Sequence, residues 1–129
     1  MFAKTSNKAY KVGIMPELYM ELPSNIQFID NKLKAKFDEM KKYNPQGELF
    51  KQLSKATGEI EKNAFCGIQI PKRLIPKPDY SKYNLKNLWK YNLTGGWRLL
   101  YSIETNGLIV TTIIIELLNH KDYEKRFKY

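Results

Sequence analysis

Leu88-Trp-Lys-Tyr-Asn-Leu-Thr-Gly-Gly-Trp-Arg-Leu-Leu-Tyr101 decides the fold. In Trp89-Tyr91-Leu93, and again in Trp97-Leu99-Tyr101-Ile103, large apolar residues recur at every second position, the period of a strand with one buried face. Lys90, Asn92 and Arg98 then point the other way. Thr94-Gly95-Gly96 between the segments supplies the glycines that a tight hairpin needs for positive φ. A three-residue loop pairs Leu93 with Trp97 and keeps the odd positions of both strands on one face. A two-residue loop would instead set the aromatics of one strand against the polar face of the other. Lys90 and Arg98 therefore share a face.

Downstream, Asn106-Gly107 between apolar runs is a strong hairpin signal, so a third strand follows at once. Leu108–Ile115 is apolar at nearly every position, as expected of a central strand covered on both faces, and Glu116 marks its fading end. Upstream, Ile26, Ile29, Leu33, Phe37 and Met40 step by three and four residues and predict a helix that opens near Pro23-Ser24. Asn44-Pro45 ends it and starts a second, with the stripe Phe50, Leu53, Thr57, Ile60 and Ala64. The two form a helical hairpin. Before them, Tyr10–Ile14 alternates weakly and reads as an edge strand. The stretch Ile68–Pro78 carries Pro71, Pro76 and Pro78 and reads as a basic loop or interrupted edge strand.

The fold class is thus α+β: an N-terminal two-helix hairpin packed on a small, mainly antiparallel sheet of three to four strands. A chain of 129 residues with 43% apolar content buries one core, and no linker divides it, so residues 1–129 are expected to form a single domain. Cys66 alone leaves no internal disulfide and fits a cytoplasmic protein. Neither a secretory leader nor an apolar run of the roughly 20 residues that cross a bilayer is seen. The net charge of +9 points to an anionic partner such as nucleic acid. No phosphate-cradling glycine motif and no Cys/His cluster with metal spacing occurs, so neither cofactor nor metal is expected.

Two helices, an antiparallel sheet, the tract aromatic-Lys-Tyr-Asn-Leu-x-Gly-Gly-Trp-Arg-Leu-Leu-Tyr and a terminal His-Lys-x-Tyr together resemble the RelE/ParE superfamily of toxins from type II toxin–antitoxin modules. The chain is most similar there to RelE-like ribosome-dependent mRNA endonucleases. The specific part covers Leu85 to Phe127, roughly a third of the chain. The resemblance implies that Arg98 contacts the scissile phosphate, and that Lys90 is a base or phosphate ligand if one residue is inserted in the hairpin. It also implies that His120, Lys121 and Tyr123 form the terminal group that supplies phosphate contacts, an acid or a stacking platform. Its partners would be the ribosome with mRNA in its A site, and an acidic antitoxin. The segment 71–87 is longer than the usual connection, and the extension before the first helix is unusual.

Cleavage by attack of the 2′-hydroxyl needs a base near that hydroxyl, cations where charge builds on the phosphorane oxygens, and an acid for the departing 5′-oxygen. Lys90 or His120 suits the base, Arg98 the clamp, and Tyr123 the acid or stacker. Lys72, Arg73, Lys77, Lys121, Lys125 and Arg126 are the accessory RNA-binding candidates. Against these stand plainer readings: Arg98 as a solvated charge, His120 in a turn, Tyr123 and Phe127 packed on the core. The alternatives in function are a ParE-like inhibitor of a topoisomerase and a non-catalytic relative that binds RNA or protein. Convergence of Lys90, Arg98, His120 and Tyr123 in space is what favours the nuclease.

Overall fold

Alternation and apolar stripes are realised as a five-stranded mixed sheet with long helices on one face and irregular chain on the other. The computed structural model describes residues 19–20 and 22–128. Strand β1 (Ser24–Phe28) precedes helices α1 (Asn31–Tyr43) and α2 (Glu48–Lys62). Then come a short β2 (Ile68–Gln69), a single helical turn α3 (Lys77–Tyr80), β3 (Trp89–Asn92), β4 (Arg98–Asn106), β5 (Ile109–Leu118) and a terminal helix α4 (His120–Phe127). The strand order is β1-β5-β4-β3-β2, with β1 parallel to β5 and every other pair antiparallel. The architecture is α+β, with more strands than the sequence reading allowed.

The helix expected from Ile26 and Ile29 does not form there: Ser24–Phe28 is extended and paired residue for residue with Val110–Ile114. Ile26 and Phe28 fit the strand period of two, just as Ile26, Ile29 and Leu33 fit the three-and-four spacing of a helix, and pairing with β5 resolves the ambiguity by satisfying the backbone. The Ser24 hydroxyl is buried, 2.9 Å from the Thr112 hydroxyl and 3.1 Å from the Ile60 carbonyl that it reaches as donor. Helix α1 instead opens at Asp30, whose carboxylate accepts the Leu33 N–H at 2.8 Å, an N-cap. Its lysines are exposed, as read. Asn44 ends α1, but α2 starts only after Gly47, and both helices lie against β1 rather than standing as an isolated hairpin. Tyr10–Ile14 lies outside the described residues.

The hairpin reading holds at β3 and β4. Asn92 pairs with Arg98, the Leu93 N–H donates to the Trp97 carbonyl at 2.8 Å, and Thr94–Gly96 form the loop. Trp89, Leu99, Tyr101 and Ile103 join Leu53 and Ile60 of α2 in one buried cluster. Leu100, Leu118, Tyr123 and Tyr80 form a second cluster on the opposite face, so β4 is buried on both sides. The next turn is Gly107–Leu108, one residue later than the Asn-Gly reading, because Asn106 still pairs with Ile109.

Strand β5 does not fade at Glu116. Leu100 pairs with Glu116 while Tyr101 pairs with Ile114, so Ile115 is an extra residue in a β-bulge. The bulge changes the phase of the strand. Glu116 and Leu118 thereby face the same side as Leu100 and Arg98.

Candidate functional site

The second face of the sheet is closed by segment 70–88 and by α4, and the cations meet where α4 crosses β3 and β4. Asn119 caps α4, its side chain accepting the Asp122 N–H at 2.8 Å. Leu118 leaves β5 on the second face, so the helix turns back over that face and buries Tyr123 to 2% exposure. Its ring stacks on Phe127 with centroids 4.5 Å apart. The i to i+4 packing read from the sequence is therefore present.

Tyr123 also carries the two cations. Lys90 Nζ donates to the Tyr123 hydroxyl at 3.0 Å, and lies 5.1 Å from the ring centroid. The Arg98 guanidinium carbon lies 5.1 Å from the same centroid. The two strands of one hairpin and the terminal helix thus bring Lys90, Arg98 and Tyr123 together. Among the described residues no carboxylate forms an ion pair with Lys90 or Arg98. Arg98 Nη1 also donates to the Trp97 carbonyl at 3.3 Å, and positive charge met by an aromatic face and a carbonyl rather than by a carboxylate attracts an anion. Arg98 Nε is buried without an acceptor, a placement that costs roughly 1–3 kcal/mol. Arg98 as a whole is half-buried.

His120 stands at the rim of this corner, at the first residue of α4 and one turn before Tyr123. Its ring is exposed, and its Nε2 lies 3.2 Å from the Glu124 carboxylate. The hairpin loop presses on it: a Cβ added to Gly96, whose φ is +82°, would come within 2.5 Å of the His120 Cβ. Lys121 and Lys125 are exposed on the same helix. Tyr123, by contrast, offers no open ring face on which a nucleobase can stack.

Arg126, expected as an RNA contact, is engaged within the fold. Its guanidinium meets the Glu116 carboxylate at 2.6 Å, the Tyr80 hydroxyl at 3.3 Å and Asp79 at 3.6 Å. Tyr80 donates to Glu116 at 2.6 Å. This clasp ties α4 to β5 and to segment 70–88. Burial and then the bond to Glu116 hold the Tyr80 phenol well above its usual range. Burial opposes the charge of Arg126, but Glu116, Tyr80 and Asp79 outweigh it and raise its affinity for the proton. The signal for this clasp was a single carboxylate in an apolar strand end, read instead as the end of the strand.

Lys72, Arg73 and Lys77 lie elsewhere, around a concavity formed by segment 70–88. The stretch Ile68–Pro78 begins as the edge strand β2, as read, but continues in helical turns, with Pro76 and Pro78 at the opening of α3, where a missing N–H is harmless. No helix among the described residues is long and apolar enough to cross a membrane. Compared with known protein families, curated proteins and solved structures, the chain matches none.

Proposed function

We propose that this protein is a RelE-like toxin that cuts mRNA on the ribosome. The observation that carries this reading is the meeting of Lys90 and Arg98 over the Tyr123 ring, with no carboxylate partner. A phosphodiester supplies the missing anion. Lys90 and Arg98 bind the non-bridging oxygens of the scissile phosphate and stabilise the charge that grows there as the 2′-oxygen attacks phosphorus. His120 at the exposed rim transfers protons: one leaves the 2′-hydroxyl and one reaches the departing 5′-oxygen, leaving a 2′,3′-cyclic phosphate on the upstream fragment. Tyr123 positions Lys90. The same positive surface suits an acidic antitoxin segment that folds over it and silences the toxin.

Tightly controlled expression, with transcript ends mapped against ribosome position, tests this reading. Wild type is expected to arrest growth and cleave within translated frames, and Arg98→Ala to lower cleavage by about 10²–10³-fold, as when one charge-stabilising donor is lost. The fold should survive that change, since Arg98 is half-buried, belongs to neither apolar cluster and, among the described residues, holds no ion pair. Equal toxicity of wild type and Arg98→Ala at equal expression would refute the assignment. Growth arrest with supercoiling changes and intact transcripts would point to a topoisomerase instead.

A further inference from the structure

A row of aromatic rings joins the cation corner to a second basic feature that the proposed reaction does not use. Phe127 stacks on Tyr123 and lies 6.3 Å, centroid to centroid, from Tyr80. Tyr80 in turn lines a concavity of about 540 Å³. Lys72, Arg73, Lys77 and Lys86 stand around it, Ile75 and Leu85 contribute apolar surface, and among the described residues no acidic side chain lines it. All four cations are exposed, and among the described residues none is held in an ion pair. The nearby acids are engaged elsewhere. Asp79 and Glu116 both face Arg126, so the clasp keeps their negative charge from the concavity.

The topology explains why these cations gather. Ile68 pairs with Lys90, Gln69 with Trp89, and the Ile70 N–H donates to the Leu88 carbonyl at 2.9 Å. Chain leaving β2 at Pro71 and chain entering β3 at Lys86 therefore run side by side. Four positive charges around one small hollow repel each other, and only an anion offsets that repulsion.

We infer that this concavity is a second nucleotide subsite, seating a nucleotide of the same single-stranded RNA whose phosphate the Lys90–Arg98 corner holds; the inference rests on the nuclease reading. The hollow has the size of a small-ligand site, about 300–1,000 Å³. Ile75 and Leu85 receive the base while the four cations meet the flanking phosphates. An amphipathic helix needs an apolar stripe with anchors at i, i+3, i+4 and i+7, which two half-buried aliphatic residues do not provide. From Lys86 to Lys90 the chain spans no more than about 14 Å, so one strand can cover both places.

Anisotropy of a labelled, uncleavable 2′-O-methyl decauridylate over a salt series tests the subsite without reference to cleavage. Lys72→Ala/Lys77→Ala is expected to bind about tenfold more weakly, with a salt slope shallower by about 1.4, the share of two single-strand phosphate contacts. Lys36→Ala/Lys41→Ala, which removes the same charge from exposed positions on α1, should bind like wild type; thermal melting confirms that both variants fold. Equal affinity and slope for wild type and Lys72→Ala/Lys77→Ala overturns the subsite, as does an equal loss in the α1 variant. Retained decauridylate binding with lost binding of poly-glutamate overturns it too, and assigns the hollow to an acidic protein. Should wild type fail to cleave mRNA while the decauridylate result stands, the nuclease reading falls and the RNA subsite remains.

Discussion

At the scale of single residues, Tyr123 is where the sequence offered several roles and the packing selects one. Its hydroxyl accepts from Lys90, its ring lies under both cations, and 2% of its surface is exposed. On the proposed nuclease reading, a tyrosine so placed acts through Lys90, as a positioning residue. Tyr123→Phe is therefore expected to lower cleavage by about tenfold, the worth of roughly one hydrogen bond to a charged group, rather than the 10²–10⁴-fold typical of a lost acid. The decisive measurement is a double-mutant cycle. Once Lys90 is alanine, Tyr123→Phe should have almost no further effect, since coupled neighbours do not add. Additive losses would mean that the hydroxyl meets the substrate itself. Tyr123→Ala, by contrast, should cost about 3 kcal/mol of stability by emptying a buried ring site. The shared face of Lys90 and Arg98 was legible, because alternation and a three-residue loop determine it. The contact with Tyr123 was not, because it depends on how α4 docks.

At the scale of elements, the hairpin loop and α4 are one mechanical unit. Gly95 and Gly96 both have positive φ, +77° and +82°, but only Gly96 lies against His120. Alanine at either position incurs the left-handed penalty of about 1–2 kcal/mol. Gly96→Ala adds overpacking of about 1–3 kcal/mol and pushes the start of α4 off the hairpin. Both variants should melt earlier, whereas cleavage should fall well beyond the stability effect only in Gly96→Ala. If Gly95→Ala and Gly96→Ala lose activity equally, the loop does not position His120. Elements whose pattern had a single solution were readable: β3, β4 and the body of α2. Those that depended on a partner were not. Ser24–Phe28 fits strand and helix periods alike until β5 is there to pair with it, and the bulge at Ile115, which turns Glu116 toward Arg126, leaves no mark in the apolar run.

At the scale of the whole molecule, the positive charge of +9 is spread over a surface whose buried face holds phenols rather than acids. Tyr101 is fully buried, donating to the Ala64 carbonyl at 2.8 Å and accepting from the Gly67 N–H at 3.1 Å. Burial holds its proton well above the usual range, as burial and then Glu116 do for Tyr80. Tyr91, bonded to Glu59, is pushed up to about 12. The sign of the linkage follows. A phenol whose folded value is raised keeps its proton in the native state while the unfolded chain releases one near pH 10, so its full contribution to stability is present below about pH 10 and is lost as pH rises toward the folded value. Neutralisation of lysine side chains at high pH weakens self-repulsion and acts in the opposite direction, so a melting curve alone mixes the two. Tyrosinate absorbance separates them. Tyr80 and Tyr101 should give up their protons only in a late step that coincides with loss of far-ultraviolet circular dichroism. One smooth titration centred near pH 10, with secondary structure preserved throughout, would contradict the burial and bonding assigned to Tyr80 and Tyr101.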